Sequence, residues 1–172
     1  MRQSQLLIFL LCIPVLFISC ETKKSPQDRI NTNDTTAVVT TVDSCGAALN
    51  KDSFAIEYGT SFGMCNGYCN LDWKFSRHCI SHTKRGNNTK DYPTIIQQNS
   101  FSEQKWKDLI AKMDISKFAA LEERIGCPDC ADGGAEWVAI PVNGKRKEVV
   151  FEYGNAPAAI AELVDKLRAE TK

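Results

Sequence analysis

The sequence predicts an α+β domain: a two-layer sandwich in which an antiparallel sheet of four to five strands carries two helices on one face, in the order βββαββα. Three observations predict it. Phe54, Ile56 and Tyr58, and then Cys69, Leu71, Trp73 and Phe75, alternate with polar or small residues, as half-buried strands do. Asn143-Gly144 lies between two apolar-containing segments, the signature of a two-residue type I′ hairpin. Two stretches, one from Trp106 and one from Ile160, repeat apolar residues at helical spacing. A sheet with both helices on one face buries all of these stripes together.

Each element has its own signal. The two alternating runs supply the first strands, and His78 to Thr83 is read as the next. Arg85-Gly86-Asn87-Asn88 reads as a loop. Tyr92 to Gln97 reads as extended, because the residue before Pro93 is pushed out of the helical region. Ser102 is a good N-cap, with Phe101 before it and Trp106 four positions inside, the spacing of a hydrophobic staple. Trp106, Leu109, Ile110 and Met113 then form one stripe. Ile115, Phe118 and Leu121 suggest a short helical turn. In the hairpin, the Asn-Gly turn sets Val138 opposite Val149 and Ile140 opposite Lys147. Pro141 cannot donate a ladder bond, which places its strand at an edge or a bulge. The last helix is read from Asn155, with Pro157 in its first turn. Ile160, Leu163, Val164 and Leu167 are its buried stripe, and Glu162 and Lys166 pair on its outer side.

The compartment is read from the first twenty residues. Arg2 precedes an almost unbroken apolar run from Leu6 to Ile18, and Ser19 stands directly before Cys20. That run is shorter than the ~20 residues a helix needs to cross a bilayer, and Pro14 interrupts it. It reads as a cleavable export signal. Phe17-Ile18-Ser19-Cys20 resembles the lipobox of bacterial lipoproteins, with Phe17 a departure from the usual aliphatic residue. The resemblance implies cleavage after Ser19, a diacylglycerol group on the Cys20 sulfur, and acylation of the new amine with a palmitate-type chain. Several chains together hold a protein stably at a membrane, at ~0.8 kcal/mol per buried methylene. The expected organisation is a signal peptide at 1–19, lipidated Cys20 with a flexible tether to residue 43, and one cysteine-containing domain at 44–172. The tether is rich in Thr, Asn, Asp, Lys and Ser.

Charge excludes one class of partner. Loss of Arg2 with the signal leaves 20 Lys+Arg against 21 Asp+Glu, a net charge of −1. General electrostatic capture of nucleic acid depends on a basic face, and this balance argues against it. Lys145-Arg146-Lys147 is a short basic run around the hairpin turn, where a charge run is usually a solvated loop.

The chain has 8 cysteines. Cys12 would leave with the signal and Cys20 would carry lipid. Cys45, Cys65, Cys69, Cys79, Cys127 and Cys130 remain, and six cysteines allow 15 pairings that sequence does not rank. In an exported protein such a set favours disulfides that staple loops to the sheet. Two other chemistries are open. Cys65, Cys69, Cys127 and Cys130 could supply four thiolates to zinc, with His78 and His82 on one strand face extending the set. Cys127-Pro128-Asp129-Cys130 could be a redox pair, although no helix start follows it to stabilise a thiolate. Asp129, Asp132 and Glu136 could approach Ca²⁺ but do not match an EF-hand loop; exposed acids in a turn are the simpler reading. The chain has no Gly-x-Ser-x-Gly elbow, P-loop or His-Glu-x-x-His motif, and no cofactor is implied.

From Phe54 to Leu167 the domain is similar to one found in small uncharacterised lipoproteins of Bacteroidetes-type bacteria. The residues that carry the likeness are Gly63-Met64-Cys65-Asn66-Gly67-Tyr68-Cys69, Cys127-Pro128-Asp129-Cys130 with Asp132-Gly133-Gly134, and the Asn143-Gly144 hairpin. That resemblance implies no activity. The expectation is a lipid-anchored protein on the periplasmic or outer-membrane face of a bacterial envelope. It binds an envelope partner or contributes to the envelope, with a redox or zinc protein using Cys127 and Cys130 as the alternative.

Overall fold

A computed structural model describes residues 38–40, Cys45 and residues 54–172. The signal, Cys20 and most of the stretch read as tether lie outside the described residues. The strands are β1 (Val38–Thr40), β2 (Ile56–Ser61), β3 (Tyr68–Phe75), β4 (Cys79–Gly86), β5 (Ile95–Ser100), β6 (Arg124–Ile125), β7 (Ala135–Val142) and β8 (Lys145–Glu152). The helices are α1 (Glu103–Ala111), α2 (Ile115–Ala120) and α3 (Ala161–Glu170).

The fold is α+β, but the sheet is larger than four to five strands and is mixed. Its order is β1-β5-β4-β3-β2-β7-β8-β6. The six central strands pair antiparallel, whereas β1 joins β5 and β6 joins β8 in parallel. Those outer strands are only 3 and 2 residues long. Segments that short carry no alternation to read, and their pairing is made by the neighbour's exposed edge.

The long strands follow their patterns. Tyr58 pairs with Trp73 and Ile56 with Phe75, so both apolar rows face one side. Strand β4 runs past His78–Thr83 to Gly86, and Arg85, read as loop, lies opposite Asn70. Its guanidinium lies 2.5 Å from Asp72. Neither residue belongs to an alternating apolar pattern, so the extension was silent in sequence.

Ser102 caps α1 as expected, its hydroxyl accepting a bond from the Lys105 amide at 3.2 Å. Asp114 caps α2 by accepting from the Lys117 amide at 3.0 Å. Phe118 of α2 is fully buried, whereas Ile115 at its start is 45% exposed. Helix α3 begins six residues later than Asn155. Asn155 turns back to donate to Glu152, and the Pro157 carbonyl accepts from the Ile160 amide, closing a turn before the helix proper. Glu162 pairs not with Lys166 but with Lys112, the C-cap of α1, at 2.6 Å, and Lys105 meets Glu170 at 2.6 Å. These two pairs join opposite ends, so α1 and α3 run antiparallel.

The hairpin has the expected register: Val138 opposes Val149, and Ile140 opposes Lys147. Asn143 and Gly144 have φ of 51° and 75°, as a type I′ turn demands. Strand β7 is nevertheless not at an edge; it lies between β2 and β8. Pro141 is tolerated because the β2 ladder ends at Ala139, leaving no acceptor waiting for the missing N–H. One core unites the inner face of the sheet (Ile56, Tyr58, Trp73, Phe75, Val138, Phe151) with Trp106 and Leu109 of α1, Phe118 of α2, and Leu163, Val164 and Leu167 of α3. All three helices therefore cover the same face.

Phe118 is the buried anchor of a six-residue helix that cannot persist on its own propensity. Phe118→Ala is expected to destabilise the domain by roughly 3–5 kcal/mol. Urea unfolding would show it as a lower midpoint at unchanged m-value.

Candidate functional site

The cysteines form three pairs at disulfide distance: Cys45 with Cys79, Cys65 with Cys69, and Cys127 with Cys130, with Cα separations of 5.4, 5.6 and 5.4 Å. The first closes a long loop and is buried; Cys45 and Cys79 are 2% and 0% exposed. The other two close tight turns at one end of the sheet. There Asp129 accepts a bond from the Gly63 amide at 3.4 Å, and Phe62 packs edge-on against Tyr153. The four sulfurs are arranged as two separate bridges rather than one tetrahedral set. Among the described residues no group of three His, Cys, Asp or Glu is placed to hold a metal ion. The two histidines also part company: His78 precedes β4, while His82 lies within it and stacks on Trp73 at 4.5 Å.

Cys127 and Cys130 are both exposed. A single 3₁₀ turn begins at Cys130, and Asp129, Ala131 and Asp132 take left-handed φ of 63°, 50° and 60°, so no α-helix dipole points at either sulfur. The Cys127 amide instead donates to the Glu152 carboxylate at 2.9 Å. That bond, followed by one from Asn155, lowers the Glu152 pKa. A fixed anion beside Cys127 disfavours a thiolate there.

Glu136 is not an exposed turn acid. It is 0% exposed, on the core face of β7. Arg168 of α3 grips it with two bonds, Nε to Oε1 at 2.8 Å and Nη2 to Oε2 at 2.6 Å. Tyr58 donates to Oε1 at 2.7 Å and the Gly154 amide to Oε2 at 3.1 Å. Burial and then the neighbouring Glu136 raise the Tyr58 pKa. The bond to Glu136 raises that of Arg168. This carboxylate has every lone pair engaged, which makes it a strut between sheet and helix rather than a reactive group. Its signals were present in sequence: Glu136 shares strand parity with Val138 and Ile140, Tyr58 with Ile56, and Arg168 lies four residues after Val164.

From Tyr58 the core polar line continues through Trp73, stacked at 5.5 Å, to His82. The His82 Nε2 is buried without a hydrogen-bond partner among the described residues. Burial, with help from Lys84, lowers its pKa to about 4.

The opposite sheet face carries no helix among the described residues, and it holds the site that sequence reasoning missed. Trp137, Gly59, Asp72 and Thr83 form one row across β7, β2, β3 and β4. Ala139, Glu57, Lys74 and Ser81 form the next. Gly59 and Thr83 in the first row, and Ala139 and Ser81 in the second, are the small positions. The Trp137 indole lies across Gly59, where a Cβ would sit 2.4 Å from the ring. Arg146 stands over the indole at 5.5 Å and bonds Glu57 at 2.8 Å and Glu148 at 2.6 Å. Arg85 pairs with Asp72, whose pKa burial raises against the opposing pull of that guanidinium. The result is a trough holding about 400 Å³, continuous through Glu57, Lys74 and Arg146 with a smaller hollow of about 140 Å³ above Ala139 and Pro141. A half-buried tryptophan flanked by converging polar groups is the composition of a recognition surface.

Arg168→Ala leaves the Glu136 charge buried and uncompensated, and is expected to cost roughly 3–5 kcal/mol, with Glu136→Gln recovering part of that loss in the double variant. Denaturant titration of the four proteins of this cycle measures both. His82 predicts an acid effect with a definite sign. Folding holds it neutral down to about pH 4, while the unfolded chain protonates it near its ordinary 6.5. Its contribution is therefore fully present above pH 6.5 and is lost as pH falls toward 4. His82→Phe should flatten the pH dependence of the unfolding midpoint in that window.

Comparison with known proteins finds no family model and no curated protein that matches this chain.

Proposed function

We propose that this chain is a lipid-anchored binding module of a bacterial cell envelope, moored through Cys20 and presenting the open sheet face to an envelope partner. The observation that carries the reading is Phe17-Ile18-Ser19-Cys20 at the end of a short apolar run. Three supports come from the domain. No helix among the described residues is long and apolar enough to cross a membrane, so helical spanning by that part is not what would hold it there. Three cysteine pairs at disulfide distance fit an oxidising compartment. The Trp137 trough supplies a surface for recognition, while the buried Glu136 has no free valence for chemistry.

A second reading, thiol redox or zinc binding at Cys127 and Cys130, draws on the exposure of that pair. The adjacent Glu152 carboxylate and the missing helix start weigh against it.

Mass spectrometry of the native protein, purified from membranes, tests the anchor. The expected species begins at Cys20 and carries acyl chains, and Cys20→Ala should release the protein from the membrane fraction. A chain retaining residues 1–19 with an unmodified Cys20 would refute the proposal. Thiol counting and metal analysis on the same sample address the second reading. No free thiol and no bound metal are expected, and one tightly held zinc or a pair of low-pKa thiols would favour it instead.

A further inference from the structure

We infer that the Trp137 trough takes a neutral glycan chain of the surrounding envelope. The inference rests on the reading of this chain as an anchored binding module and names the ligand class of its open face. Three features of the trough point there together.

The first is charge. Every arginine of the trough is already answered: Arg85 by Asp72, and Arg146 by Glu57 and Glu148. Lys74 is the remaining cation, set within this balanced field between Glu57 and Ser81. A polyanion such as nucleic acid needs unanswered cations, and an ionic ligand would have to break these pairs. Paired carboxylates and guanidiniums still hold free lone pairs and N–H groups at their rims. Those suit a ligand that both donates and accepts hydrogen bonds without net charge, as hydroxyl groups do.

The second is the aromatic floor. The Trp137 indole packs on Gly59 with the Arg146 guanidinium 5.5 Å from its centroid, and the half-exposed remainder of the ring lines the trough. A sugar ring offers a flat patch of C–H groups ringed by hydroxyls, which matches an indole plane bordered by Arg146, Glu57 and Asp72. The third is location. The trough crosses the face of four strands, which pair with one another along both rows that form it. A peptide strand adds to a sheet edge through its main chain, and no such edge lines this site. At 4.7–4.9 Å between strands the crossing is roughly 15 Å long, room for a few sugar rings in a row.

The test is calorimetric titration of the acylated protein that begins at Cys20, in a detergent without a sugar headgroup, with cellohexaose and with chitohexaose. Saturable binding of at least one of them is expected, changed by less than about twofold between low and high salt because no net charge is neutralised. Trp137→Ala should weaken it by about tenfold or more, equivalent to about 1.4 kcal/mol. Gly59→Ala keeps the indole but lifts it off the floor, and should weaken binding in the same direction while the unfolding transition reports an intact fold. The inference is overturned if neither sugar binds at millimolar concentration, if Trp137→Ala binds as tightly as the wild type, or if the binding falls steeply with salt. Any of these results with Cys20 still acylated would remove the glycan alone and leave the anchored module standing. A bare Cys20 would remove the anchor whatever the sugars do.

Discussion

The register of one hairpin governs both faces of this protein. Left-handed φ at Asn143 and Gly144 locks Val138 against Val149, and strand parity does the rest. Even-numbered residues of β7 then point at the helices and odd-numbered ones at the open face. Glu136 is thereby committed to the core and Trp137 to the trough. A slip of one residue would exchange them, burying an indole against α3 and leaving Arg168 without its acid. The turn chemistry of two residues thus decides where the polar strut stands and where the open trough lies.

The strut and the surface depend on each other through β2 and β7. Tyr58 holds Glu136 from one side of β2, and the next residue, Gly59, is the seat of Trp137 on the other. The absent side chain at Gly59 is what lets the indole lie flat. Arg168 ties the same region to α3, and the ion pairs of Lys105 with Glu170 and Lys112 with Glu162 hold α3 against α1. The covered face is rigid for reasons of burial, and that rigidity presents the uncovered face as a fixed shape. The buried Cys45–Cys79 pair ties the chain before β2 to the start of β4, while the two short pairs shape turns at one sheet end.

Much of this was legible before any coordinate. The Ser102 cap, the hairpin register, the alternation through Phe75 and the apolar stripe of α3 all came through, because each is set by residues close in sequence. The misses share the opposite cause. Strands β1 and β6 exist only because an edge was free beside them. Pro141 signals an edge or a bulge, yet the length of β2 excuses it inside the sheet. Glu162 chose Lys112 over Lys166 once α1 lay alongside. The late start of α3 followed from the turn that Pro157 and Asn155 make with their neighbours.

The sequence alone determined the α+β class, the local caps and turns, the near-zero charge and the expectation of export through Cys20, since all of these are properties of short segments or of composition. The tertiary structure alone decided which cysteines meet, that Glu136 is buried and satisfied, and that Trp137, Gly59, Asp72 and Arg146 share one trough. Those residues lie on four strands scattered over some ninety positions, and only lateral pairing brings them within reach. Short-range chemistry writes the elements; the order in which strands lie side by side writes the site.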